Sequence, residues 1–382
     1  MLNPFACLLA MMLAFCGTPV IPRDGQTASE DKLKWILDNI RANEELYKDI
    51  DISYSSKYFV DKSVMEPSTW EPTLLETLKF KQRCVRQKDL YYVSKEGQGV
   101  QLDGKPYVSE QFGAFDGEKT LTLTGNLANI VHDRRDENCL LFHSHAMLLQ
   151  DNYQLCYPVS LFLQGGPALA SHPRAGAYAQ GAVYYQFTYV GTEEVDGLRC
   201  VKLHGRGFIK KAAPKPDEER WKVDLWIAID RNYFPIKSVG YQLRSHATVP
   251  SCTARLSEFK EIQPGVWFPF RLTYSSTEPA HLRRGQEVAQ KKVEFAVENV
   301  SLTPNHPAAF FRSIAIPNSA RVYELRNNKI IKGYVQGGKE PQSAPQPQVI
   351  PSQTATSRPY FLWAGILLLV VGFFVAAKRR TA

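Results

Sequence analysis

Histidine offers the first chemistry in this chain: His143-Ser144-His145, with His132 and Asp133 upstream, supplies the imidazole and carboxylate groups that ligate zinc-like ions. On a helix, positions i and i+2 point about 200° apart, so two such imidazoles cannot chelate one ion; an extended backbone would bring both to one face. HExxH is absent. His132, His143 and His145 are therefore candidate ligands whose ordinary role is polar surface or a helix edge. Cysteine comes next. Seven are present, and Cys84, Cys139, Cys156, Cys200 and Cys252 lie beyond the first twenty residues. Cys139 and Cys156 flank a helix-like insertion and form the candidate disulfide of an exported chain, whereas Cys200 in Leu198-Arg199-Cys200-Val201 reads as a small core residue of a strand. No CxxC occurs, which leaves redox pairs and zinc ribbons without support.

Nucleophilic catalysis has no better footing. GxSxG is missing, and no SxxK or Cys/His arrangement stands in a catalytic setting. Glu193-Glu194 and Asp217-Glu218-Glu219 lie in turn-like stretches where solvated charge is the usual role. The glycine fingerprints of nucleotide and dinucleotide sites are also absent. The expectation is a chain with no catalytic residue and no cofactor. Of 382 residues, 44% are hydrophobic and 22% charged, and the net charge is +8. Lys378, Arg379 and Arg380 supply three of those charges, so the remainder (8 − 3 = 5) makes no case for nucleic acid.

The apolar residues concentrate at the two ends. Pro4 to Cys16 is almost unbroken apolar sequence, of signal-peptide length and too short to span a bilayer, so 1–22 reads as an export signal. Lipidation of Cys16, ordinary cleavage and a retained anchor stay open. Tyr360 to Ala377 contains no charge and, at about 1.5 Å per residue, covers the hydrocarbon of a bilayer. Tyr360 and Trp363 suit the headgroup level, and Lys378, Arg379 and Arg380 hold the tail 378–382 in the cytoplasm. A permanent anchor and a processed sorting signal fit the same layout. Residues 337–359, rich in Pro, Gln and Ser, read as an extended stalk.

The elements between must position whatever chemistry exists. Thr27-Ala28-Ser29-Glu30 fits a capping box, and Leu33, Ile36, Leu37 and Ile40 recur at helical spacing, predicting a helix to about Tyr47. Period-two alternation then takes over: Ile52, Tyr54, Ser56; Thr120 to Thr124; Tyr185, Phe187, Tyr189; Val223, Leu225, Ile227, Ile229; and Val293, Phe295, Val297. Turn signals separate these runs, among them Asp116-Gly117, Asp196-Gly197, Asp230-Arg231-Asn232 and Gln263-Pro264-Gly265. Glu137 to Leu149 and Pro158 to Ala170 look helical. The fold expected is α+β and β-rich, a strongly curved antiparallel sheet forming an open half-barrel around a few helices, followed by the C-terminal transmembrane helix. Large apolar strand residues on its concave side would suit acyl chains or an apolar peptide.

Several hairpins resemble a known family. Val190 to Leu203, with its Gly191, Val195, Gly197 and Cys200, is similar to the strand-turn-strand unit of lipoprotein-carrier-like proteins of the LolA/LolB/RseB type. Leu225-Trp226-Ile227 with Asp230 to Ile236, Phe259 to Pro269, and Phe310 to Pro317 resemble its later segments, the last that of large membrane-tethered bacterial members. The resemblance covers about Lys32 to Tyr334 and involves no catalytic motif. It implies a half-barrel with helices plugging its mouth and a hydrophobic interior that holds lipoprotein acyl chains in the diffusible carriers. A tethered body cannot ferry cargo freely, so a receptor, acceptor or sensor in the cell envelope is the natural counterpart. Phe187, Leu225, Ile227 and Trp267 are the candidate lipid-lining residues, with outer-face packing as their other role. The expected protein is an exported, single-pass, non-enzymatic binding module, 27–336, for lipids or lipoproteins on the periplasmic or extracytoplasmic side. A structural or protein-binding envelope protein with a filled core is the alternative, and an exported hydrolase the third reading.

Overall fold

Leu33, Ile36, Leu37 and Ile40 form the helical stripe expected of them: α1 spans Ser29–Glu44 and ends in a 3-10 turn, Glu45–Tyr47. Glu30 and Asp31 in its first turn and Arg41 in its last suit the helix dipole. In this computed structural model the described residues are 29–61, 74–100, 105–132, 142–149, 158–164, 183–209, 217–327 and 329–338. After α1 come β1 (Ile50–Asp61), β2 (Leu74–Gln87), β3 (Leu90–Val100), β4 (Pro106–Phe115), β5 (Lys119–Thr124) and β6 (Leu127–His132). A 3-10 turn, Ser144–Ala146, continues as helix over 147–149, and α2 is Val159–Gln164. Then follow β7 (Val183–Val195), β8 (Leu198–Ile209), β9 (Glu218–Ala228), β10 (Phe234–Gln242), β11 (Cys252–Gln263) and β12 (Val266–Thr277). The short α3 (Pro279–Arg283), β13 (Ala289–Ser301), β14 (Arg321–Arg326) and β15 (Lys329–Val335) complete the order.

All fifteen strands belong to one sheet, ordered β15-β14-β6-β5-β4-β3-β2-β1-β13-β12-β11-β10-β9-β8-β7. Its ends, β15 and β7, do not pair, so the sheet stays open; among the described pairs β6–β14 is parallel and the others antiparallel. Hairpin turns fall where the sequence signalled them. Asp196 and Gly197 both take positive φ, 58° and 73°, as a two-residue hairpin requires.

The sheet must coil. From β3 to β7 there are ten adjacent strands, which laid flat would extend about 43 Å at about 4.8 Å per strand spacing. A six-residue helix such as α2 is about 9 Å long. Nevertheless Tyr91 and Val93 of β3, Tyr185 and Phe187 of β7, and residues of α1 and α2 belong to one buried core. Phe142 meets Tyr54 on β1 at 5.6 Å between ring centroids, His145 meets Phe234 on β10 at 4.1 Å, and Phe162 meets Phe187 on β7 at 5.4 Å. Short helices reach strands so far apart in sheet order because the sheet wraps around them. Close approach also demands glycine. A Cβ on Gly205 would fall 2.5 Å from the Phe187 ring, which lies across β8.

A separate, smaller cluster of Leu123, Ala128 and Val322 holds β5, β6 and β14. The chain crosses to it from β13 over the convex face, where Asp51 accepts from Arg83 (3.1 and 2.8 Å) and bonds His306 (2.8 Å). Gln87 clasps the His306 backbone in both directions.

The described parts of the expected helical stretches are 142–149 and 158–164; their remainders lie outside the described residues. So do the signal 1–22, the stalk from 339, the apolar span 360–377 and the tail, with Cys16, Cys139, Cys156, Tyr360, Trp363, Lys378, Arg379 and Arg380. Among the described residues no helix is long and apolar enough to cross a membrane.

Candidate functional site

The concave face is positioned by one polar knot. Asn232 (φ 50°) and Tyr233 (φ 56°) are consecutive left-handed residues, a conformation Asn tolerates better than most side chains. The turn aims the Asn232 amide at four neighbours. Its Oδ1 accepts from the Trp267 N–H (2.7 Å), and its Nδ2 donates to Asn43 Oδ1 (3.2 Å) and the Gly265 carbonyl (3.1 Å). Tyr47 Oη donates to the Trp267 carbonyl at 2.6 Å and lies 3.2 Å from Asn232 Oδ1. Burial pushes the Tyr47 hydroxyl far up, so it remains a donor. The knot thereby ties α1 to the β9–β10 and β11–β12 turns.

His145 completes the knot from the helical insertion. Its Nε2 bonds the Asn232 carbonyl at 2.7 Å, and a carbonyl only accepts, so the proton sits on Nε2. The ring stacks on Phe234 with 6° between planes and meets Tyr47 edge-on. Burial holds its pKa down at about 4, opposed by the bond to Asn232, and the imidazole is neutral at pH 7. The three candidate metal ligands have separate partners: His132 bonds Glu324 across β6 and β14 at 3.0 Å, His143 faces a polar cleft, and His145 lies in the core. Among the described residues no three His, Cys, Asp or Glu side chains converge.

That cleft, of about 350 Å³, lies between the end of α1 and the start of α2 and includes Arg41, Glu44, Arg86, His143 and Ser160. Glu44 caps α2: its Oε1 accepts from the N–H groups of Val159 (2.6 Å) and Ser160 (3.3 Å), its Oε2 from Ser160 Oγ (2.5 Å). Burial raises the Glu44 pKa against the lowering effect of these bonds. A carboxylate spent on a helix start fastens α2 to α1; it is a joint rather than an acid–base pair.

The candidate liners divide. Phe187, Leu225 and Ile227 are in the buried core, Leu225 and Ile227 wholly enclosed and Phe187 against Phe162 of α2. Trp267 points the other way. Phe268 next to it is buried in the core, and alternation turns Trp267 to the convex side, where the Arg231 guanidinium covers its ring at 3.8 Å. Its backbone, not its ring, serves the concave face, through both bonds to the knot. Cys84, Cys200 and Cys252 are buried thiols, and burial pushes Cys84 and Cys200 up, away from thiolate chemistry. Sequence reading missed Asn232 and Glu44 as anchors; for Asn232 a signal existed in the Asp230-Arg231-Asn232 turn, while nothing distinguishes Glu44 from any other carboxylate on a helix.

No family model matches the chain, and no curated protein matches it. Among solved structures it is similar to a DUF1329 family protein from Desulfovibrio piger, with 12% identity, a TM-score of 0.37, and coverage of 73% of this chain and 96% of that one. An outer membrane lipoprotein-sorting protein domain from Vibrio parahaemolyticus aligns at 10% identity and TM-score 0.38 over 74% of this chain and 97% of its own. An exported protein with a YmcC-like fold from Bacteroides fragilis aligns at 10% identity and TM-score 0.17, over 66% of this chain and 96% of its own.

Proposed function

We propose that the chain is an exported, membrane-tethered, non-enzymatic module that binds lipids or lipoprotein acyl chains on the concave face of its open sheet. One observation supports this most: a single face of ten adjacent strands, β3 round to β7, is lined by apolar and aromatic side chains and curls toward itself without closing. Burial of an acyl chain there would contribute about 25 cal/mol per Å² of apolar surface removed from water. The sheet's open edges let such a face widen without breaking a closed ring of strands.

A rival reading, a structural or protein-binding envelope protein, is favoured by Phe142, Met147, Leu148 and Phe162, which fill the interior where the helices dock. The two are separated by labelling the purified full chain with a photoactivatable fatty acid and mapping the modified peptides. Label on concave residues such as Tyr58, Phe80 or Phe295, competed by unlabelled fatty acid, supports acyl binding. Label confined to residues 360–377, or to convex positions, overturns it.

A further inference from the structure

Large apolar side chains stand exposed at one end of the sheet. Ile331 (52%) and Val335 (44%) on β15 and Leu127 (41%) on β6 are open to solvent, on the two strands that flank β14. The register aligns two of them. Val335 pairs with Arg321 and Arg321 with Leu127, so an apolar, a cationic and an apolar residue form one row across three strands. Alternation puts that row on the face opposite Val322, which packs with Leu123 and Ala128 in the small cluster. Ile331 stands at the register irregularity between β14 and β15, where the extra residue leaves the ladder.

The charge at this end is nearly all of one sign. Over β5, β6, β14 and β15 the cations are Lys119, Arg321, Arg326, Lys329 and Lys332, and the single carboxylate is Glu324. His132 already engages Glu324 at 3.0 Å. Arg321, Lys329 and Lys332 are exposed and make no ion pair among the described residues; Lys332 Nζ stands 5.0 Å from the ring of Tyr334 on its own strand. Lysines on an edge strand work against pairing with another strand, which disfavours a second copy as the occupant. Apolar side chains beside unpaired Lys and Arg instead suit an anionic bilayer surface: the basic groups reach the lipid phosphates while the apolar ones enter the headgroup boundary.

The course of the chain brings that surface near. β15 ends beside the row: the Gln336 N–H donates to the Ala320 carbonyl at 2.8 Å, one residue before Arg321. The last described residue is 338 and the apolar run begins at Tyr360, so 22 residues (360 − 338) lead from this end of the sheet to that run. A linker of that length reaches at most about 75 Å, so it permits contact without enforcing it. It also holds the patch at an effective concentration on the order of millimolar, at which a small surface suffices. We propose that the β6–β14–β15 end docks on the anionic bilayer surface, with Leu127, Ile331 and Val335 at the headgroup boundary and Arg321, Lys329 and Lys332 on lipid phosphates. The body then rests against the membrane instead of standing off on its stalk. The inference rests on the membrane-tethered reading.

The test reconstitutes the full chain into nanodiscs of phosphatidylcholine alone and of phosphatidylcholine with phosphatidylglycerol, and follows amide hydrogen exchange in β15 with β8–β12 as internal reference. In the natural protein, exchange over 329–335 is expected to be at least about fivefold slower in the anionic discs, the scale of one basic side chain at such a surface. The difference should vanish in Arg321→Gln with Lys329→Gln and Lys332→Gln, and in high salt, with β8–β12 unchanged throughout. Equal exchange in the two discs overturns the docking and leaves the tether standing. A chain that does not co-elute with either disc overturns the tethered reading and the docking with it. Slowing that the triple variant retains, or that rises with protein concentration as a second copy would require, overturns the lipid occupant. Should the triple variant fail to fold, seen as faster exchange in β8–β12, the natural protein's dependence on phosphatidylglycerol and on salt decides alone.

Discussion

The two hydrophobic clusters of this sheet are held in different ways. The large one draws on α1, the insertion, α2 and ten strands, and its centre is aromatic: Tyr47, Phe234 and Phe268 meet one another at 5.3 to 6.1 Å. The small one is Leu123, Ala128 and Val322 with partly buried neighbours, and β14 and β15 depend on it and on strand pairing. Stability is therefore expected to be uneven, with the β5–β6–β14–β15 end opening at lower free energy than the helix-packed centre. A core that coils around helices buries each side chain from several directions; an extension of the same sheet buries from one.

The largest effect should follow from Phe268→Ala, a fully buried ring at the centre of the large cluster. Loss of about 3–5 kcal/mol is expected, read as a fall in the urea midpoint of the whole sheet. A change confined to β14 and β15 would break the contrast between the clusters.

Acid tests the same centre through His145. Its folded pKa is depressed to about 4 from 6.5, so below the unfolded value the unfolded chain binds more protons than the folded one. Stability is accordingly full above pH 6.5 and declines as pH falls toward 4, by about 3 kcal/mol in all. His145→Phe keeps the stack on Phe234 and should flatten that part of the pH profile; a slope unchanged in the variant would remove His145 from the account.

Val322→Ala should matter less and locally. About 1–2 kcal/mol is expected from the methyl groups lost, visible as faster amide exchange in β14 and β15 with β8–β12 unaffected. Asp51→Asn is expected to have the smallest effect. Burial pushes this carboxyl up, but hydrogen bonds from Arg83 and His306 and their charges together hold it below its ordinary value. Its contribution is thus present above the ordinary carboxylate pKa and lost as pH falls through the lower folded one. In the variant the acid limb of the stability profile should be shallower, and exchange should rise where residues 302–312 cross β1 and β2.

Much of this architecture was legible because burial writes itself into spacing. The helix ending at Tyr47 followed from Leu33, Ile36, Leu37 and Ile40, and β9 from Val223, Leu225 and Ile227, each with an apolar period that one face alone can satisfy. Spacing failed at Val266-Trp267-Phe268-Pro269-Phe270, where apolar residues occupy both faces and either phase is allowed. There Asn232 and Tyr47 fix the phase by gripping the Trp267 backbone, sending Phe268 inward and Trp267 out.

The sequence by itself determined that one amphipathic helix precedes a long antiparallel series with hairpin turns, because period and turn chemistry are local. Which rings share a core, which lysines stand over aromatic rings, and how far the sheet coils were decided only in three dimensions. Those outcomes depend on register across strands, as with Ser56, Phe80, Gly97 and Ser109, drawn from four strands into one patch. No residue carries such information alone: a side chain's neighbours across a sheet are set by strands distant in the chain.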